Sequence, residues 1–157
     1  MALVKGTNSY VSLNEANAYF ENRLDAAAWL EADDTMKSQA LVTASAFLNE
    51  LNWTGVAISD SQFLAFPRTG SYFDPKLGKY IEFVDIPERV ANATFELAYH
   101  LMNNDGLLDD TGTITNLSIG SIRLDIRSEP NKIPPFVRKI IRPLLKNNGA
   151  NMWWRAN

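Results

Sequence analysis

The chain has no cysteine and only one histidine. The first absence excludes a disulfide framework, a thiol nucleophile and a cysteine-based metal site. The histidine, His100, stands among apolar residues with no serine or cysteine motif beside it, and reads as a structural residue rather than a catalytic one. Glycine-rich phosphate loops are missing, since neither GxxxxGK nor GxGxxG occurs. No apolar run approaches the roughly 18 residues of a membrane span. The opening MALVKGTNSY lacks the apolar core of a signal peptide, so a cytoplasmic setting is expected. Internal repeats and low-complexity segments are also lacking. The acidic pairs Asp33-Asp34 and Asp109-Asp110 do not have calcium-loop spacing and read as caps or loops. Together these absences leave no candidate active site, metal or cofactor, and the chain is not expected to be an enzyme.

What is present is one domain's worth of sequence: 157 residues, 46% apolar and 21% charged, enough to bury a substantial core. The net charge of −3 hides a split. Residues 1–122 carry 7 basic and 16 acidic side chains, whereas residues 123–157 carry 8 basic and 2 acidic. A basic end on an acidic body suits a docking arm or a nucleic-acid contact; the plain alternative is a solvated helix with a charge bias.

The longest helical pattern runs from Asp85 to Asn104, with Val90, Ala93, Leu97 and Leu101 at helical spacing and Ala98 beside them. Pro87 suits its first turn, Asp85 its cap, and Gly106 its stop. Ser12 and Glu15 form a capping box for a helix from Leu13 to about Arg23. Asp25 is expected to cap a short helix, Ala26 to Glu31, with Trp29 and Leu30 inward. Asp33 or Asp34 caps a third helix, Thr35 to Leu51, whose alanines would let the Asp85–Asn104 helix approach closely. Pro135 starts a last helix to about Leu145, with Phe136, Val137, Ile140, Ile141 and Leu144 as its apolar face. Pro143 should kink it or end it early.

Between these helices the pattern is weaker. Residues 71–84 read as a long loop with a short strand at Tyr80 to Val84. Residues 113–127 read as a small β-ribbon, because alternation at Thr115, Leu117 and Ile119 changes parity at Gly120-Ser121 before resuming at Ile122, Leu124 and Ile126. A bulge or a tight turn resolves the slip. The fold class expected from all this is mainly α, a helical bundle of four to five helices with that ribbon.

Two features are not exhausted by a structural reading. Phe66-Pro67-Arg68-Thr69-Gly70 is either a turn whose phenylalanine plugs the core, or a rigid mount for Arg68 to pair with a neighbouring chain's carboxylate. Trp153-Trp154-Arg155, following Met152, either folds back onto the core or docks into a partner.

Several motifs in order resemble one family. They are GTNSYVSLNEANAYF at 6–20, Leu51-Asn52-Trp53-Thr54-Gly55, and Gln62-Phe63-Leu64-Ala65-Phe66-Pro67-Arg68-Thr69-Gly70. Ile86-Pro87 with its helix, Ile119-Gly120-Ser121-Ile122, and Pro134-Pro135-Phe136-Val137-Arg138 complete the set. This arrangement resembles a phage protein family often labelled DnaT-like ssDNA-binding protein, whose members look like head–tail connectors, or adaptors, of tailed phages. The resemblance implies a structural virion protein of the neck, present in the host cytoplasm during assembly. It implies a homo-oligomeric, dodecameric ring beneath the portal protein that passes double-stranded DNA through its channel and meets the next neck or tail protein. On that expectation, residues 1–149 are the connector domain and 150–157 an aromatic, basic docking tail. The expected interface with portal or neighbouring subunit is Arg68, Arg123, Arg127, Arg138, Arg142, Met152, Trp153, Trp154 and Arg155. The alternative is a DnaT-like single-stranded-DNA-binding replication protein that uses residues 123–157. Aromatics placed at helical core positions, and the acidic body, weigh against strand-tracking in this reading.

Overall fold

Ser12 opens the first helix as its sequence suggests. Its hydroxyl accepts from the Glu15 N–H, while the Glu15 carboxylate accepts from the Ser12 N–H at 2.7 Å. The computed structural model describes residues 2–104, 106, the strand residues 117–119 and 122–124, and residues 133–146. In it α1 spans Leu13–Glu21 and α2 spans Ala27–Glu31. α3 spans Asp34–Asn49, capped by Asp33, whose carboxylate accepts from the Met36 N–H at 2.7 Å. α4 spans Glu88–Asn103 and α5 Pro135–Ile141, followed by one 3₁₀ turn at Arg142–Leu144. Pro143, which cannot donate to the ladder, accounts for that early change of helix type.

Helix α3 packs along α4, and α5 packs on α4 beside it. Ala40, Leu41, Ala44 and Leu48 meet Val90, Ala93, Leu97, Ala98 and Leu101 in one buried cluster with Phe20, Trp29, Val137 and Ile141. At 16 residues α4 is about 24 Å long. Its start differs from expectation. Asp85 does not cap it; Pro87 occupies the N-cap position, and Asp85 adopts a left-handed φ of 54°. The residue before a proline is held extended, so the helix begins after Pro87 and leaves Asp85 too far upstream to reach its first N–H groups. Asp25 likewise provides no cap for α2, since its carboxylate is taken by Arg23 at 2.8 Å, and Leu30 points to solvent.

The fold is mixed α/β rather than the helical bundle expected. Residues 53–84, read as loop apart from a short strand at Tyr80 to Val84, contain two antiparallel pairs, and that strand is part of the second. β1 (Val56–Ala57) pairs with β2 (Arg68–Thr69), and β3 (Ser71–Asp74) pairs with β4 (Lys79–Glu82). Strands of two and four residues are too short to show a period of their own. The turn of the second hairpin is built by Asp74, whose carboxylate accepts from the N–H groups of Lys76 and Leu77 while its carbonyl accepts from Gly78 at 2.8 Å. Farther along, β5 (Leu117–Ile119) pairs antiparallel with β6 (Ile122–Leu124), Ile119 opposite Ile122. Chain reversal between those strands accounts for the change of parity there.

Two sequence motifs turn out to be halves of one junction. Trp53 is buried and donates its indole N–H to the Leu48 carbonyl at 3.0 Å. Its ring lies edge-on to Phe66 at 5.0 Å, and Phe66 also meets Phe83 and Tyr10. Arg68 closes the junction. Its guanidinium donates to the carbonyls of Gly55 at 2.6 Å, Thr54 at 2.9 Å and Ala65 at 3.1 Å. The fork that the sequence offered to a neighbouring chain is thus spent on this chain's own backbone. Gly55, at φ 80°, has no room for a side chain, because a Cβ there would lie 2.3 Å from the Thr69 carbonyl oxygen. The C-terminal segment joins the same place, with Thr54 N–H donating to Leu144 and Lys146 N–H to Asn52.

A second tie runs from α4. Arg89 holds both carboxylate oxygens of Asp74 at 3.2 Å and donates to the Ile140 carbonyl in α5. These hydrogen bonds keep the Asp74 carboxyl below its ordinary value of 3.8.

Both ties make testable demands. Gly55→Ala is expected to lower stability by about 1–3 kcal/mol through backbone strain. Arg68→Lys should cost about 1–3 kcal/mol by leaving carbonyls unpaired; both follow from chemical denaturation. Because the folded value of Asp74 is depressed, its contribution is present above the unfolded value and lost as pH falls through the folded one. Asp74→Asn should therefore lower Tm at neutral pH, with the gap to wild type closing as pH falls below the ordinary carboxyl value of 3.8. A gap that stays constant on acidification would show that the carboxylate charge is not what matters.

Candidate nucleic-acid interface

The last turns of α4 and the start of α5 enclose a shallow groove of about 440 Å³, lined by Arg23, Glu96, Tyr99, His100, Asn103, Asn104 and Phe136. Its floor is a closed polar set. Glu96, on the buried side of α4, accepts from the Tyr19 hydroxyl and from the Arg23 guanidinium. The Glu96 hydrogen bond holds the guanidinium charged, above its ordinary value. Burial first, and then Glu96, pushes the Tyr19 hydroxyl up to about 12. Arg23 also lies over the Tyr99 ring at 5.5 Å from its centroid. With Glu96 and Asp25 both drawing on it, this one guanidinium is matched by two carboxylates. The floor is therefore a poor seat for a phosphate.

The groove's walls are rings and amides. His100 lies edge-on to Phe136 at 5.8 Å, and the Asn104 side-chain amide stands 3.2 Å from His100 Nδ1 while donating to the His100 carbonyl. Asn103 donates to the Tyr99 carbonyl at 3.0 Å. Half-exposed rings beside amide groups suit a flat heteroaromatic ligand better than an ion. Among the described residues, no group of three or more His, Asp or Glu side chains could hold a metal.

Charge enters along α5. Val137 and Ile141 are buried, which turns Pro135, Phe136, Arg138, Lys139 and Arg142 outward. Residues 133–146 carry four basic side chains and no acidic one. Phe136, expected on the buried face, is 46% exposed. Its place is about 100° around the helix from Val137, at the border between the cationic face and the groove. Outside the helices, Phe63, Phe73 and Tyr80 are exposed as well.

Of the residues expected to form an interface, Arg138 and Arg142 share this exposed face, while Arg68 lies in the junction far along the chain and points inward. Arg123 lies on β6 opposite Ser118. Arg127, Met152, Trp153, Trp154 and Arg155 fall outside the described residues, as does the expected docking tail. Arg23, Tyr99, Asn103 and Asn104 were not singled out from sequence. They are brought together only by the meeting of α1, α4 and α5, and no local spacing announces it.

A family model described as "Putative DnaT-like ssDNA binding protein" matches residues 2–156. No curated protein and no solved structure matches the chain. The family match corrects the leading expectation of a neck component. Its description names single-stranded DNA, and carries no virion, head–tail connector, portal partner, ring or double-stranded-DNA channel. The match favours the alternative instead. Covering nearly the whole sequence, it means that the chain belongs to the DnaT-like ssDNA-binding family.

Proposed function

We propose that this protein binds single-stranded DNA and acts by binding alone, without catalysing a reaction. The observation that carries this reading is the family match over residues 2–156. The surface that suits it best is the outward face of α5 with the adjoining groove. Arg138, Lys139 and Arg142 stand where they can neutralise successive phosphates without displacing an ion pair, since none of them is part of one among the described residues. Phe136, Tyr99 and His100 offer ring surfaces to a base, and Asn103 and Asn104 offer amides to its edge. Every base has a π-face, so this arrangement needs no particular sequence. The acidic body, 16 carboxylates against 7 basic groups in residues 1–122, repels phosphates elsewhere and confines the strand to the basic side.

The test is a salt titration of binding to a fluorescently labelled oligo-dT, read by anisotropy. Wild type should bind at about 50 mM salt and weaken steeply as salt rises. Arg138→Ala/Lys139→Ala/Arg142→Ala should weaken binding and make the log–log slope shallower by about 2, since each phosphate contact on a single strand contributes about 0.7. These three side chains are exposed, so the melting temperature should barely move. Failure of wild type to bind oligo-dT at low salt would reject the reading. An unchanged slope in the triple variant would move the site off α5.

A further inference from the structure

The β1–β2 pair carries apolar side chains that its own folding does not use. Ala57 lies opposite Arg68, whose guanidinium is spent in the junction, while Val56 lies opposite the exposed Thr69. Pairing carries on past β1, with the Ile58 N–H donating to the Pro67 carbonyl at 3.4 Å. Alternation along the strand therefore sends Val56 and Ile58 to the side away from the junction. Val56 is 69% exposed and Ile58 58%. Phe63, across the Ser59–Gln62 turn from Ile58, is 74% exposed. None of the three belongs to the buried cluster or packs against it. Asp60 stands exposed in the turn between Ile58 and Phe63.

The last described residue of the C-terminal segment is tied close to this set. Thr54 N–H donates to Leu144, Lys146 N–H donates to Asn52, and Trp53 and Leu145 form an antiparallel bridge. Asn52 is four residues from Val56, at most about 14 Å of extended chain. Trp153 lies seven residues beyond Lys146, a reach of up to about 24 Å. The antiparallel direction at Lys146 points away from Val56, so reaching it needs a reversal. Asn148-Gly149 is a residue pair well suited to one. Residues 147–157 hold Met152, Trp153 and Trp154, and their one charged side chain is Arg155. Tryptophan carries a large apolar surface that favours burial, and Arg155 is opposite in sign to Asp60.

We propose that the C-terminal segment Met152–Arg155 folds back onto the outer side of the β1–β2 pair. Trp153 and Trp154 cover Val56, Ile58 and Phe63, and Arg155 pairs with Asp60. This contact is independent of the single-stranded-DNA reading, and it stands or falls without it.

The experiment is disulfide trapping in the full chain, whose lack of native cysteine removes any background. Ala156→Cys, which spares both tryptophans, is combined in turn with Ser61→Cys, Thr69→Cys, Glu82→Cys or Leu24→Cys. All four partner positions are exposed. A disulfide forms only when the two Cα atoms come within about 7 Å. Ser61→Cys or Thr69→Cys should crosslink within one chain about tenfold faster than Leu24→Cys, because docking raises the local concentration. Equal rates at all four positions would overturn the contact. Fastest trapping at Glu82→Cys would move the segment to the β3–β4 hairpin, and disulfide dimers that increase with protein concentration would give the seat to a second copy; either result overturns the proposal. A second measurement needs no cysteine. Trp29 and Trp53 are buried, so acrylamide quenching reports mainly on Trp153 and Trp154. Val56→Lys/Ile58→Lys, at exposed positions, should raise quenching and move the emission to the red. Unchanged quenching would reject the seat.

Discussion

The constraint on which the rest depends is the pinning of two loops by Arg68. Residues 53–55 and 65–70 have little regular structure, and their carbonyls would otherwise need water or a partner of their own. One planar guanidinium supplies three donors in fixed directions, to Gly55, Thr54 and Ala65. With those loops fixed, Phe66 is seated against Trp53, Tyr10 and Phe83. The end of α5 is then tied to the same place through Leu144 and Lys146. The cationic face of α5 thus owes its position to a residue that never touches it.

The junction also explains what the sequence motifs are. Leu51 to Gly55 and Gln62 to Gly70 look like separate signatures along the chain, and in space they interlock. Gly55 and Gly70 pass close enough that a Cβ on Gly70 would stand 3.2 Å from the Gly55 Cα. Both adopt positive φ, so each glycine meets a steric and a conformational demand at once. These motifs are therefore marks of architecture, and the surface suited to a ligand lies elsewhere, on residues that form no compact signature.

Legibility followed the length of the element. α3 and α4 repeat their apolar positions over four turns, and both were readable; so were the Ser12–Glu15 cap and the break at Pro143, each a local effect of one or two residues. Of the hairpins at 56–82 only the strand at Tyr80 was, because a two- or four-residue strand shows no periodicity and its register comes from tertiary contacts such as Tyr72 on Phe83. Leu30 and Phe136 were assigned inward on hydrophobicity alone, yet each stands where its helix turns to solvent. The charge split was readable and pointed to the basic end. The groove was not, since Arg23, just past the end of α1, lies far along the chain from Tyr99 on α4 and Phe136 on α5. The function most favoured by resemblance, a neck connector, gave way to the family's own description.

Arg89 links α4 to the base of the β3–β4 hairpin through Asp74 and to α5 through the Ile140 carbonyl. A rigid guanidinium shared by three elements leaves them little freedom to shift against one another. The base of the hairpin and α5 are accordingly carried by α4 as one unit, their spacing set when the chain folds. A surface on α5 is thus in place before anything reaches it, and the entropy of arranging it is not charged against the affinity of a ligand.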